Sequence, residues 1–171
     1  MHGRGETQVR AGAETDLTAL TDLYNHYVRE TAITFDTEPF SPAQRRPWLL
    51  SHPKDGPHRL LVAQGGDGTL LGYATSGPFR TKGAYATSVE TSVYCAPEAT
   101  GRGVGTLLYG ALFAALADED VHRAYAGIAQ PNEASARLHA RFAFRHIGTF
   151  AQVGRKFDRY WDVAWYQKDL R

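Results

Sequence analysis

Val93-Tyr94-Cys95-Ala96-Pro97-Glu98-Ala99-Thr100-Gly101-Arg102-Gly103-Val104-Gly105-Thr106 is the stretch that decides the fold. A β-type run enters it, three alternating glycines follow, and an amphipathic helix leaves it. Val104, Leu107, Leu108, Ala111, Leu112, Ala115 and Leu116 recur at three- and four-residue spacing, the stripe of a helix packed on one face. Upstream, Ala84 to Tyr94 is rich in Tyr, Thr and Val, and Pro97 closes it, which reads as a strand and its end. Such a junction exposes backbone N–H groups at a helix N-terminus, where the partial positive charge favours a phosphate. Gly101, Gly103 and Gly105 let the chain bend and approach an anion with no Cβ in the way. The stripe alone is core packing. Three glycines in five residues exceed what a simple turn needs.

Two phosphate loops fail against these letters. A Walker loop requires Lys after its last glycine, and Thr106 follows Gly105. A dinucleotide fingerprint requires Gly-x-Gly-x-x-Gly, and here the third glycine comes one residue early. The acidic residues at about the right distance, Asp118, Glu119 and Asp120, fall in the tail of the helix rather than after a strand.

Working outward, Glu6 to Arg10 reads as a short strand and Asp16 to Arg29 as a helix, with Thr15 as its cap. Ser41-Pro42 opens a second helix through Trp48 and Leu49. His58 to Ala63 and Leu70 to Ser76 are strands joined by the turn Gly65-Gly66-Asp67-Gly68. Arg123 to Ala129 is a strand and Asn132 to Phe142 a helix. Two strands, about Gly148 to Val153 and Trp161 to Lys168, close the chain. The order implies one α+β domain over residues 1–171 with a mostly antiparallel sheet and about four helices, residues 1–6 forming a flexible tail.

Composition narrows the function classes. A length of 171 residues supports one substantial core. The net charge of +1 gives no reason to expect nucleic acid or an anionic membrane as partner. The single cysteine, Cys95, excludes an intrachain disulfide and any multi-cysteine metal site, and its place at a strand end reads as packing. No apolar run reaches the ~20 residues that span a bilayer, and Met1 to Gln8 has no apolar signal core, so the expectation is a cytoplasmic enzyme without a metal.

Thr100-Gly101-Arg102-Gly103-Val104-Gly105 resembles the Gln/Arg-x-x-Gly-x-Gly/Ala pyrophosphate loop of the GNAT superfamily of N-acetyltransferases, with Thr100 where Gln or Arg is usual. Other segments resemble the phosphinothricin acetyltransferase family within it: Asn25-His26-Tyr27-Val28, Thr34-Phe35-Asp36-Thr37-Glu38-Pro39 and Val89-Glu90-Thr91-Ser92-Val93-Tyr94. After the glycine loop come Pro131-Asn132-Glu133-Ala134-Ser135 with Leu138-His139, and Trp161-Asp162-Val163. These stand in family order over nearly the whole chain. The resemblance implies a GNAT-like twisted sheet, acetyl-CoA as cosubstrate, a small amino acid or analogue as the amine acceptor, and a homodimer.

It also implies roles. An amine attacks a thioester only when neutral, so a general base must take its proton, directly or through water. Glu90, on the strand leading to the loop, matches the family's base; without the resemblance it is equally a solvated carboxylate. His139, two helical turns beyond Asn132, is the second catalytic candidate, for proton relay or substrate orientation, against the alternative of a packed histidine. For acetyl-CoA the resemblance assigns Gly101, Arg102, Gly103, Val104, Gly105 and Thr106 to the pyrophosphate. It assigns the strand backbone of Val93, Tyr94 and Cys95, with Asn132 and Ser135, to the pantetheine arm. Substrate selection falls to Thr34 to Glu38, with Phe35 as an apolar wall, and to Arg80 or Lys82 as partner of a carboxylate. Lys82 stands where family members commonly carry Arg and cannot make the same two-pronged contact. The aromatic C-terminus, with Trp161, Val163 and Trp165 on one strand face, reads first as core and second as a dimer interface. Two rivals remain: an acetyltransferase for a polyamine, an antibiotic or a protein N-terminus, and an acyl-CoA sensor without turnover.

Overall fold

The glycine loop lies where the central strand ends, and the sheet around it sets everything else. A computed structural model describes residues 5–171. Its elements run β1 (Gln8–Ala11), α1 (Leu17–Glu30), α2 (Pro42–Leu50), β2 (Leu60–Gln64), β3 (Leu70–Pro78), β4 (Ser88–Cys95), α3 (Val104–Leu116), β5 (Arg123–Ala129), α4 (Glu133–Arg141), β6 (Arg145–Lys156) and β7 (Arg159–Asp169). They build one α+β sheet of order β1-β2-β3-β4-β5-β7-β6. Every neighbouring pair is antiparallel except β4 and β5.

That parallel pair is short. Only Ser88, Val89 and Glu90 pair with Arg123, Ala124 and Tyr125, and beyond Glu90 the two strands part. On its other edge β4 stays paired to β3 as far as Cys95. The sheet therefore forks, and Glu90 is the last paired residue before the fork.

Helices cover both faces. Tyr73 of β3 packs its ring on Trp48 and receives a hydrogen bond from Arg45, both in α2. Gly72, facing the other way, lets Leu108 of α3 approach: a Cβ there would stand 3.2 Å from the Leu108 side chain. Leu20, Val28, Val62, Val89, Leu108, Tyr109 and Leu112 are fully or almost fully buried in the core. Among the described residues no helix is long and apolar enough to cross a membrane.

Several boundaries differ from the sequence reading. Thr15 does not cap α1. It lies inside a 3₁₀ turn, Glu14–Asp16, in which the Asp16 carboxylate accepts from the Ala13 N–H and from Arg10. Ser41 does cap α2, in a reciprocal pair with Gln44. The strand expected from Ala84 begins at Ser88, because Gly83–Tyr85 forms a 3₁₀ turn. The last two strands run longer than expected. Register breaks near Gly148 and Gly154 and a left-handed Gln152 interrupt the alternation without ending the ladder. Phe157 and Asp158, both at positive φ, make the two-residue turn between them. Of the tail expected at residues 1–6, the first four lie outside the described residues, and Gly5 packs its backbone on Gly66.

Candidate active site

The fork opens into a cleft of about 460 Å³, lined by β4 from Thr91 to Cys95, the glycine loop, β5 from Ala126 to Ala129, and α4. Along it Gly103 caps α3 in the left-handed conformation, φ 77°, and Gly101 shares that conformation at 78°. A Cβ at either would meet nothing within 4 Å, so the backbone angle, and not space, requires glycine. The first helical bond joins the Leu107 N–H to the Gly103 carbonyl, which leaves the N–H groups of Val104, Gly105 and Thr106 without a helical acceptor. Gly105 serves packing instead: its Cβ would stand 3.2 Å from Leu138 of α4. Arg102 does not line the cleft. Two arginines that the sequence reading missed do: Arg137 and Arg141, one turn apart on α4, with Arg141 donating to the Thr106 hydroxyl at 2.8 Å. Their signal is the four-residue spacing of like charges on α4.

Past the fork, the β5-facing edge of β4 offers backbone groups to an extended amide chain. Val93 and Tyr94 stand on that edge, whereas the Cys95 carbonyl already accepts from the Tyr27 hydroxyl. Burial pushes the Cys95 thiol up from its ordinary value, which disfavours the reactive thiolate. Asn132 caps α4 by accepting from the Ser135 N–H, and both residues line the cleft.

His139 also lines this cleft, but it is only 2 % exposed. Its Nδ1 lies 2.7 Å from the Ser135 carbonyl, which can only accept, so Nδ1 carries a proton. Nε2 of the neutral ring then accepts from the Tyr109 hydroxyl at 2.8 Å, and Tyr109 accepts in turn from Thr91 at 3.1 Å. Burial holds the imidazole below its ordinary value, and the neutral tautomer is fixed.

A second pocket, of about 640 Å³, lies at the same fork. Glu90 and Asp36 are its charged lining residues; its walls are Ile33, Phe35, Phe150, Val153, Val163 and Trp165. Ile33, Tyr94, Gly127 and Ala129 line both cavities, so the two meet through the gap in the sheet. Burial pushes the Glu90 carboxyl up, and the Arg80 guanidinium partly offsets this. Phe35 lies over Gly154 of β6, where a Cβ would come within 2.1 Å of its ring, and Trp165 lies over Gly127 in the same way at 2.9 Å. Val163 and Trp165 are thus pocket wall as well as packing. The structure does not bring Lys82 here: it is exposed in the turn before Gly83. Arg80 is exposed too, folded over the ring of Phe79. Among the described residues no group of three metal-binding side chains converges.

Two cavities that meet at a gap in a sheet, with a half-buried carboxylate beside the gap, make an arrangement suited to an enzyme that brings two substrates together. The chain belongs to the Acetyltransferase (GNAT) family, whose model matches residues 20–144, and it is an N-acetyltransferase. It is 72% identical to the phosphinothricin N-acetyltransferase of Streptomyces coelicolor, over 99% of this chain and 100% of that one. It is 33% identical to the L-methionine sulfoximine/L-methionine sulfone acetyltransferase of Pseudomonas paraeruginosa, covering 95% and 94% of the two chains. The structure of an acetyltransferase from Salmonella typhimurium with its cofactor acetyl-CoA superimposes with a TM-score of 0.88 at 31% identity, over 96% and 94% of the chains.

Proposed function

We propose that this enzyme transfers acetyl from acetyl-CoA directly to the primary amine of a small amino acid or analogue, of the kind represented by phosphinothricin and methionine sulfoximine, with Glu90 as general base. The observation that carries this is the position of Glu90: the last paired residue before the fork, lining the second pocket, which shares Tyr94, Gly127 and Ala129 with the cleft. The names of the two relatives above support the substrate class.

The residues of the cleft fit acetyl-CoA. Free N–H groups of Val104, Gly105 and Thr106, backed by the α3 dipole and by Arg137 and Arg141, suit a pyrophosphate. The open edge of β4 at Val93 and Tyr94 suits the amides of pantetheine, beside Asn132 and Ser135. Acetyl-CoA supplies the activated acyl group as a thioester. Glu90 accepts the ammonium proton, directly or through one water; the neutral amine nitrogen then forms its bond to the acyl carbon, and as the C–S bond breaks the second amine proton passes to the departing thiolate, which leaves as free CoA thiol. Burial raises its pKa, which makes it a stronger base than an exposed carboxylate. His139 acts through Tyr109: it fixes the hydroxyl that Thr91, the neighbour of Glu90, also holds. The transfer passes through no acyl-enzyme, since burial disfavours the thiolate of Cys95, the one thiol in the chain.

We also propose a homodimer across β6 and the hairpin tip, where Phe150, Val153, Phe157 and Tyr160 are each more than half exposed. Sedimentation should give twice the chain mass. The reaction belongs in the cytoplasm, which supplies acyl-CoA thioesters.

Thiol release from acetyl-CoA should be measured with phosphinothricin, methionine sulfoximine, methionine sulfone and common amino acids, alongside Glu90→Gln. Turnover on one class, reduced about 100-fold or more in the variant, is the expected result. Acetyl-CoA binding without turnover on any amine would overturn the proposal in favour of a sensor.

A further inference from the structure

The acceptor pocket holds two carboxylates and the chemistry uses one. Asp36 is exposed yet held in place. Its carboxylate accepts from the Tyr24 hydroxyl, and its backbone N–H donates to the Thr34 hydroxyl at 3.3 Å. Because the Tyr24 proton goes to Asp36, Thr34 donates across the 2.8 Å contact to Tyr24, closing a ring of three groups. Tyr24 is fixed in turn by the Arg45 guanidinium, 3.9 Å above its ring, and by the edge of Tyr94.

The cations nearby do not offer themselves to a ligand. Lys156, 5 % exposed, gives its ammonium to the Thr34 carbonyl at 2.8 Å. It is close enough to Asp36 to feel its charge, but it does not line the pocket. Arg45 stands behind Tyr24, and Arg80 and Lys82 lie outside the lining. An acceptor entering this pocket meets Asp36 and Glu90 across apolar walls, and among the described residues no cation lines it.

We propose that Asp36 selects acceptors by the charge of their side chain. This rests on the reading of the pocket as the amine-acceptor site and deepens it. The Asp36 carboxylate repels an acceptor whose tail is anionic and accepts one whose tail is neutral or carries a hydrogen-bond donor. Phosphinothricin and methionine sulfoximine are a matched pair: both are α-amino acids of similar length, but the phosphinate of the first is an anion and the sulfoximine of the second is neutral and carries an N–H.

The test is the ratio of kcat/KM for methionine sulfoximine to that for phosphinothricin, in the full-length wild type, Asp36→Asn and Asp36→Glu. In Asp36→Asn the ratio should fall about tenfold, through a lower KM for phosphinothricin with kcat nearly constant, as removal of one nearby like charge requires. Asp36→Glu should keep the wild-type ratio, and raised salt should narrow it in the wild type only. An unchanged ratio in Asp36→Asn, or an equal loss on both acceptors that Asp36→Glu shares, overturns the inference and leaves the acetyltransferase reading standing. Wild-type turnover of neither compound overturns both.

Discussion

Gly103 and Gly110 bracket the first two turns of α3, and each has open space where a Cβ would go. Alanine at the two positions should nevertheless act with opposite sign. Gly103 is left-handed, φ 77°, and an L-residue there is strained by roughly 1–2 kcal/mol. The stiffer unfolded chain returns about 0.4–1 kcal/mol of this, leaving a net loss near 1 kcal/mol. Gly110 is an exposed helix-interior residue, so its replacement stabilises by about 0.5–1 kcal/mol. For a chain of this size 1 kcal/mol moves Tm by about 2–4 °C. Thermal unfolding should therefore show Gly103→Ala melting a few degrees low and Gly110→Ala slightly high. Because Gly103 aims the N–H groups of Val104 to Thr106, its replacement should also raise KM for acetyl-CoA and leave that for the amine unchanged. If Gly103→Ala melted as high as Gly110→Ala, or kept its KM for acetyl-CoA, the account of the loop would be refuted.

Arg80 lowers the Glu90 carboxyl against the rise that burial imposes. A base works ionised, so Arg80→Gln should move the acid limb of the kcat/KM profile to higher pH; an unmoved limb would show that Glu90 is not the group titrating. Tyr109→Phe leaves the buried Nε2 of His139 without its donor and should cost about 1–3 kcal/mol in urea unfolding, with the acid limb unmoved. Gly154→Val drives a side chain into the space of the Phe35 ring, so the amine KM should rise while the acetyl-CoA KM holds; equal rises would place Phe35 outside the acceptor site.

Much of this was legible before any coordinates. β5 was read to the residue, and α3 and α4 nearly so, because their apolar spacing and the flanking Gly, Pro and Asn agree with the fold at every level. The hairpin β6–β7 was truncated at both ends, since its bulges break the alternation that identifies a strand, and only the partner strand restores it. Glu90 could be named from its family pattern; that it is the last paired residue of a parting pair could not, because parting is a property of two strands. Arg80 and Lys82 are legible only by charge and, for Lys82, by family position, and neither says which way a turn faces. Asp36 lay in plain view, yet its hold on Tyr24, twelve residues earlier, depends on how the loop returns over α1. Arg137 and Arg141 join the cleft for the same reason: α4 must first be laid beside α3.

The fork separates two tasks along the chain. The cleft proposed for acetyl-CoA is made mainly from β4, the glycine turn, α3, β5 and α4, one continuous run of the chain, with Tyr27 and Ile33 added from α1 and the loop after it. The walls of the pocket proposed for the acceptor come mainly from elsewhere, the loop after α1 and the terminal hairpin. Only Ile33, Tyr94, Gly127 and Ala129 serve both. A lineage can therefore rewrite Phe35, Asp36, Phe150 or Val153 and try new amines while the machinery that handles the thioester stays as it was.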